Sequence, residues 1–300
     1  MIYLEVKHKT EETQKKRRVS VSGMLLYLGV SRSGYNAWLK RKPSKQAKRK
    51  HVIKARIKEI YDDSYQNYGA PKITKVLQKS GEKISERTIG KYMKEMHIKA
   101  QYIKPYTVTT RDSDFSATLN NVLNENFNPD EPNTAWCTDI TYIWTIDGFV
   151  YLTSIMDLFS RKIIAWTLSQ SLEVSCVIKT INKAKARRKL ENPLIIHSDR
   201  GSQYVSKEYK KATLKMQTSY SKKAYPWDNA CIESFHALIK REWLNRFKIR
   251  DYEHAYTLVF EYIEAFYNTV RIHSHCDYIS PNQFEKLYRQ IQKVNVTKVS

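Results

Sequence analysis

The chain has 300 residues, 41% of them hydrophobic, with 36 aromatics (6 Trp, 21 Tyr, 9 Phe) and only 8 Gly and 8 Pro, so it can build about two packed domains and is not a low-complexity polymer. No stretch approaches ~20 uninterrupted apolar residues, the N-terminal MIYLEVKHKT lacks the basic-then-apolar order of a secretory signal, and the four cysteines (Cys137, Cys176, Cys231, Cys276) form no CxxC pair. A membrane span, a zinc ribbon and a disulfide framework are thereby disfavoured, and a reducing, cytoplasmic setting is expected.

The net charge of +22 is unevenly spread: residues 1–111 carry 27 Lys+Arg against 9 Asp+Glu, and residues 112–300 carry 25 against 21. A strongly basic arm beside a nearly neutral body points to polyanion binding, since Lys and Arg make the phosphate contacts that dominate non-specific DNA affinity.

In chain order, SGMLLYLGVSRSGYNAWLK (22–40) reads as a first helix-turn-helix-like element. Leu25, Leu28 and Val30 end one apolar segment around Gly29, and Ser31 or Ser33 can cap a second carrying Tyr35, Trp38 and Leu39. A basic connector (41–50) leads into an amphipathic helix over about 45–63, with Val52, Ile53, Ile57 and Ile60 at helical spacing. A second helix-turn-helix-like element follows. Pro71 suits a first helical turn, Ile73, Val76 and Leu77 form one face, and Gly81 is placed to end the helix. Ser85 can cap the next helix, whose Ile89, Met93 and Met96 face inward. Its Arg87, Lys91 and Lys94 recur on another face, as a DNA recognition helix requires. From about 100 to 132 the apolar period fades into a polar stretch. The expected boundaries are therefore 1–44 for a basic segment with a helix-turn-helix-like element, 45–110 for a helical DNA-binding domain, 111–132 for a linker and 133–295 for the core.

The core opens with TAWCTDITYIWTI (134–146), the hairpin signal Asp147-Gly148, a return strand (149–160) and a third strand (161–169). A helix over about 173–189, a buried strand 194–199, a helix over about 206–216, a loop through YSKKAYPW and a helix from Asp228 to about Leu244 follow; helices over 251–268 and 281–293 close the chain. The fold class is α/β: an RNase H-like core with an all-α, helix-turn-helix-like N-terminal arm.

Three carboxylates are well placed for chemistry. Asp139 sits mid-strand among apolar neighbours, where a free charge is costly; Asp199 ends an apolar strand; Glu233 lies early in a helix that Asp228 can cap, on a face shared with His236 and Lys240. Hard divalent cations take oxygen ligands, and phosphoryl transfer with two ions needs several carboxylates converging from rigid elements. Asp157 competes for a place in this set, or pairs with Arg161. His197 shares the face of Asp199 and is either a ligand or a packed, hydrogen-bonded histidine.

These motifs carry a family resemblance. WCTDITYI (136–143), YLTSIMDLFSRKIIAW (151–166), HSDRGSQYVS (197–206), YPWDNACIESFHALIKRE (225–242) and FYNTVRIHSHCDYISPNQF (266–284), with LGVSRSGYNAW (28–38) and NYGAPKI (67–73), cover most of the chain. They resemble the integrase-like transposases of bacterial insertion sequences, specifically the second-reading-frame (OrfB) product of the IS-three group. The resemblance implies a DDE triad of Asp139, Asp199 and Glu233, two Mg²⁺ or Mn²⁺ ions, and transposon ends as substrate. It also implies double-stranded DNA partners (terminal inverted repeats and target), a homo-oligomer on DNA, and an upstream-frame (OrfA) partner. The 33 residues between Asp199 and Glu233 are fewer than the family usually has, a difference the loop before Tyr225 can absorb. Tyr225 and Trp227 on that loop are expected to stack on a base, and Lys240 to meet a phosphate. Arg271 and His273 match a C-terminal motif without an assigned role.

Overall fold

The computed structural model describes residues 2–12, 20–101, 119–190, 193–222 and 225–299. It divides into two compact units, Met1–Ile57 and Lys58–Ser300.

The first unit is helical: α1 (Ile2–Glu12), α2 (Val21–Tyr27), α3 (Arg32–Leu39) and most of α4 (Lys45–Asp63), which continues into the second unit. The α1 helix was not anticipated from sequence. Ser20 and Ser31 cap α2 and α3, each side chain accepting an amide of the first turn, so of the two candidate serines Ser31 is the cap. Val6, Leu25 and Tyr35 form the small core, with Tyr3 and Trp38 packed on it.

The second unit begins with a helical pair. In α5 (Ala70–Lys79), Pro71 lies in the first turn and Ile73, Thr74 and Leu77 are buried; in α6 (Glu86–Glu95), Ser85 caps the helix and Ile89 and Met93 are buried, while Met96 is only half-buried. Both boundaries are as the caps and Pro71 predict.

The sheet follows. β1 (Ala135–Thr145), β2 (Gly148–Asp157) and β3 (Lys162–Ser169) form the expected antiparallel meander, turned at Asp147-Gly148, where Gly148 takes φ 121 that a side chain would resist. After α7 (Val174–Arg187), β4 (Leu194–Ser198) returns parallel to β1, and the full order is β3-β2-β1-β4-β5. The helix expected over 206–216 is the shorter α9 (Lys207–Ala212), preceded by an unanticipated single-turn α8 (Ser202–Val205) and followed by an unanticipated edge strand, β5 (Met216–Tyr220). Its sequence, MQTSY, buries only Met216, Ser219 and Tyr220, so it carries little of the apolar alternation that marks a strand. Residues 111–118 of the expected linker lie outside the described residues. Beyond them the chain runs along β5, with the amides of Val122 and Leu123 donating to Ser219 Oγ at 2.9 Å each.

One face of the sheet packs α7 through Trp136, Ile155, Ile164, Ala165, Val177 and Ile181. Strand alternation sends the neighbouring residues to the other face, which is covered by α10 (Ala230–Glu242) and α11 (Tyr252–Phe260). A wider-wound stretch, Glu261–Tyr267, continues α11, and α12 (Pro281–Val299) ends the described chain. Ile232, Phe235 and Ile239 are the buried apolar residues of α10. Asp228 does not cap this helix: it lies in a preceding 3-10 turn, Pro226–Asn229, and its Oδ2 accepts the Lys222 amide at 2.6 Å, tying down the loop. Helix hydrogen bonding begins one residue later than the sequence indicates, and Asn229 occupies the cap position without a side-chain bond.

Candidate active site

Two of the three carboxylates meet because β1 and β4 are parallel neighbours. Their register pairs Cys137 with His197. Two residues further along, Asp139 on β1 and Asp199 just past β4 therefore come side by side, on strands about 4.8 Å apart. β1 is also paired to β2 at this point, Asp139 opposite Ser154. The Asp139 backbone is thus held by a central strand rather than a loop.

Around Asp199 the chain turns sharply. Gly201 N–H donates to Asp199 Oδ1 at 3.0 Å, and a Cβ at position 201 would stand 3.0 Å from that oxygen. Arg200 points away, its Nε donating to Ser221 O at 2.8 Å.

Glu233 arrives from α10, on the sheet face that carries Asp139. One turn later on this helix, His236 is buried between the two strands: Nδ1 lies 3.2 Å from Asp139 Oδ2 and Nε2 lies 3.3 Å from Ser154 Oγ. The carboxylate can only accept, so Nδ1–H donates to it and, in the neutral ring, Nε2 accepts the Ser154 hydroxyl. A further turn on, Lys240 Nζ sits 4.3 Å from the Tyr142 ring centre. Burial lowers the Lys240 ammonium, with Asp139 acting in the opposite direction.

The electrostatics link the three acids. Burial and then the charge of Asp139 push the Asp199 carboxyl up to about 6, against the Gly201 amide. Glu233 is raised by partial burial and then by Asp139 and Asp199. Below the pair lies Tyr204, whose hydroxyl is 3.3 Å from Thr138 Oγ1 and is raised by burial and by the same two aspartates.

Among the described residues, no three acidic, histidine or cysteine side chains are drawn together closely enough to enclose a metal ion as they stand. The donor chemistry nevertheless fits a hard divalent cation. The side chains offer anionic oxygens, two of them on neighbouring strands; Asp139 raises the proton affinity of Asp199, and both raise that of Glu233, which a cation would relieve.

The competitors are accounted for elsewhere. Asp157 is fully buried at the end of β2, across from Trp136 and three register positions from the Asp139–Ser154 pair; it accepts the amides of Asn133 and Phe159 and faces Arg188 at 4.0 Å. Its expected partner Arg161 instead donates to the carbonyls of Phe127 and Leu158 and to Asn128 Oδ1. His197 is enclosed by two hydroxyls, Ser219 at 2.8 Å and Ser221 at 3.2 Å, and burial pulls it down to about 4, the state of a packed neutral histidine.

Of the other residues singled out, Trp227 is 68% exposed and Tyr225 is exposed with Lys222 Nζ 5.4 Å from its ring centre; residues 223 and 224 between them and β5 lie outside the described residues. Arg87, Lys91 and Lys94 are all exposed on α6, and among the described residues none of their side chains is held in an ion pair or hydrogen bond. Arg271 is buried and clamps Glu242, Nε to Oε2 and Nη2 to Oε1, both at 2.7 Å. Neither Arg271's role nor Ser154 and Tyr204 are marked by local spacing: the β1–β2 register brings Ser154 to Asp139, and the fold of the chain after β4 brings Tyr204, on α8, to Thr138.

The three antiparallel strands, the parallel return and the helix bearing Glu233 define an integrase-type α/β core with a helix-turn-helix-like module ahead of it. Family models agree: residues 129–226 and 214–281 match integrase core domains, and residues 48–106 match an HTH-like domain. The chain is 36% identical over 249 residues to the transposase for insertion sequence element IS904 of Lactococcus lactis, covering 82% of this chain and 98% of that one. It is 33% identical over 272 residues to transposase InsF for IS3A of Escherichia coli K12, covering 89% and 94%. Among solved structures it is similar to a simian T-cell lymphotropic virus intasome (TM-score 0.43, 17% identity, 76% of this chain and 73% of that one). The HTLV-2 integrase catalytic core domain in complex with magnesium is another (TM-score 0.39, 17% identity, 51% and 97%). The chain belongs to the IS3 family of insertion-sequence transposases. Its activity is that of a polynucleotidyl transferase, cutting DNA and transferring strands in transposition.

Proposed function

We propose that Asp139, Asp199 and Glu233 are the catalytic triad, and that together they hold two Mg²⁺ or Mn²⁺ ions at the phosphodiester being cut. The observation that carries this reading is the register of β1 and β4, which seats Asp139 beside Asp199, together with the electrostatic coupling of both to Glu233. When bound, the ions activate the attacking oxygen and stabilise the leaving one. Asp139 is oriented by His236, and Asp199 by the Gly201 amide. Glu233, the third ligand in this reading, comes from α10 rather than from a strand. The first attack is by water at an element end; the freed 3′-hydroxyl then takes the place of water against a second strand, so no covalent protein–DNA intermediate is required. In this reading Lys240 contacts a phosphate near the scissile bond, and the exposed Tyr225 and Trp227 stack on an unpaired base.

The substrates in this reading are the terminal inverted repeats of the element and the target DNA. Arg87, Lys91 and Lys94 contact the repeat. Residues 1–44 and 45–110 form the DNA-binding arm, 111–132 the connection and 133–295 the catalytic core. Joining two ends requires a homo-oligomer on DNA, with the upstream-frame product as a further partner.

The test is strand transfer on duplexes carrying the flanking repeats with Mg²⁺ or Mn²⁺, comparing wild type with Asp139→Asn, Asp199→Asn and Glu233→Gln. Products lost in every variant while DNA binding persists support the triad. Full activity in any one variant removes that residue from the site.

A further inference from the structure

The α5–α6 pair is seated on the C-terminal end of α10, and the contacts there are more specific than a tethered DNA-binding module needs. Tyr65 sets its ring edge-on to Trp243 (4.9 Å between centres) and Phe266 (5.3 Å). Arg246 donates from Nη1 to Tyr65 O at 2.7 Å and from Nη2 to Asn67 Oδ1. The Ile272 amide donates to the Tyr68 hydroxyl at 2.8 Å. Lys79 Nζ donates to the carbonyls of Asp277 and Tyr278, the latter at 3.1 Å, and Lys75 lies over the Tyr278 ring.

At the centre of this joint stands Glu242, the last residue of α10. Arg271 holds it with two hydrogen bonds and the Tyr262 hydroxyl donates to it at 2.8 Å. Lys72 of α5 faces the pair, pulled down to about 8 by burial and then by Arg271, with Glu242 opposing.

Both sides of the joint also carry backbone strain. Tyr65 and Gln66 have φ of 51 and 66, and Asp277 and Tyr278 have φ of 50 and 55. Left-handed backbone is strained for a non-glycine residue and persists where surrounding contacts over-determine it. Here the strained pairs are held by the contacts just described, and the ion pair beside them is buried and doubly bonded, so the joint is over-determined.

Glu233 and Glu242 lie on the same uninterrupted helix, nine residues and therefore about 13.5 Å apart along its axis. Clamping Glu242 thus fixes the path of the helix that carries Glu233. We infer that Tyr65, Tyr68, Arg246 and the Glu242–Arg271 pair form a positioning joint that holds the DNA-reading helix α6 at one fixed distance from Glu233, so that the bond cut is set by where α6 sits on the DNA. The inference rests on the proposed roles of α6 and Glu233.

The experiment uses the full chain and duplexes carrying the flanking repeat, with base pairs inserted one at a time between the repeat interior and its terminus. Wild type is expected to cut at a constant distance from the repeat interior, moving off the terminus as base pairs are added. Tyr65→Ala keeps repeat binding and its cutting of non-specific DNA, but cutting at the correct position falls by on the order of 10²-fold and spreads to neighbouring bonds, the scale expected for a small misplacement. Tyr65→Phe, which keeps the ring on Trp243 and Phe266, restores a single position. Cutting that stays at the terminus whatever the insertion, or a Tyr65→Ala protein that still cuts at one position, overturns the joint. Hydrogen exchange on the free chain reads the joint without DNA: Tyr65→Ala speeds exchange in residues 70–79 and 240–246 together, and a change on neither or only one side also overturns it. Unchanged repeat binding by the variant with Arg87, Lys91 and Lys94 all replaced by Ala would instead refute the reading of α6, leaving the exchange result to judge the joint.

Discussion

His236 reaches across from α10 to place its Nδ1 3.2 Å from Asp139 Oδ2 while its Nε2 rests 3.3 Å from Ser154 Oγ. The ring is buried, so its tautomer and orientation are set by these two partners. Replacing it with Ala leaves Asp139 without its fixed donor and opens a cavity beside β1. His236→Ala is expected to lose about 10–100-fold in strand transfer, recovered in part by raising the divalent cation concentration. A cation titration of the cleavage rate checks this, and an unchanged half-saturating concentration with unchanged rate would exclude His236 from the orientation of Asp139.

Gly201 makes a narrower case, because its backbone is in an ordinary conformation (φ −56) and only space forbids a side chain. An added Cβ would lie 3.0 Å from Asp199 Oδ1 and 3.2 Å from Gln203 Oε1. Gln203 can swing away; the carboxylate, held by the 201 amide, must shift by a few tenths of an ångström. Gly201→Ala is therefore expected to fold with a melting temperature close to wild type, yet to lose activity by up to about 10²-fold. Parallel thermal melts and cleavage assays separate the two effects, and a large fall in melting temperature would assign the loss to folding instead.

The Glu242–Arg271 pair governs stability in acid. Although burial alone raises the carboxyl, the Arg271 hydrogen bonds and charge outweigh it and hold Glu242 below the ordinary glutamate value of 4.5. The unfolded chain therefore takes up this proton first as pH falls. The pair's contribution is fully present above about pH 4.5 and is lost as pH drops through the depressed folded value. Glu242→Gln leaves a buried guanidinium unpaired, at a cost of about 3–5 kcal/mol. Replacing both members, Glu242→Gln with Arg271→Met, recovers part of that loss and flattens the acid limb of a melting-temperature profile; an equally steep limb in the double variant would locate the acid sensitivity elsewhere.

Much of this architecture was legible in the chain because local chemistry and tertiary structure agree. Ser31, Ser85 and Pro71 mark helix starts by satisfying, or not needing, first-turn amides, and Asp147-Gly148 marks a hairpin that only a positive φ can close. β5 was missed because an edge strand paired on one side needs no continuous apolar face; Thr218 and Gln217 can stay polar. Asp228 looked like a cap from its position, but its carboxylate is taken by the Lys222 amide, a partner that the path of the loop decides. The proposed triad stands out as three carboxylates in strand, strand-end and helix, and Glu233, His236 and Lys240 fall on one helix face by counting. What spacing does not encode is which strands lie side by side, so the meeting of Asp139 with Asp199, the role of Ser154, and the exchange of Arg161 for Arg188 as partner of Asp157 emerge only from the sheet.

Trp227 is expected to bind an unpaired base through its exposed indole. Stacking of one base on an aromatic side chain contributes about 1–3 kcal/mol. Trp227→Ala should therefore weaken binding to a repeat end with a frayed or single-stranded terminus while leaving fully duplex internal repeat DNA unaffected. Competition between the two DNAs measures this, and equal weakening on both would mark Trp227 as a structural residue of the loop.

The α6 cations supply the most direct test of the arm. Each phosphate contact releases condensed counterions, so the logarithm of affinity falls with the logarithm of salt concentration in proportion to the number of contacts. Arg87, Lys91 and Lys94 are exposed and, among the described residues, unengaged by other side chains, so each is available to a phosphate or a base edge. A residue that meets only phosphate should, when changed to Ala, weaken binding to all duplexes alike and reduce the salt slope by about 1; one that reads a base should cost about 1–3 kcal/mol and relax preference at one position of the repeat. Salt titrations on repeat and scrambled duplexes sort the three residues between these roles. A variant with unchanged slope and unchanged preference would take that residue out of the interface, and all three behaving so would move DNA recognition to another surface of the arm.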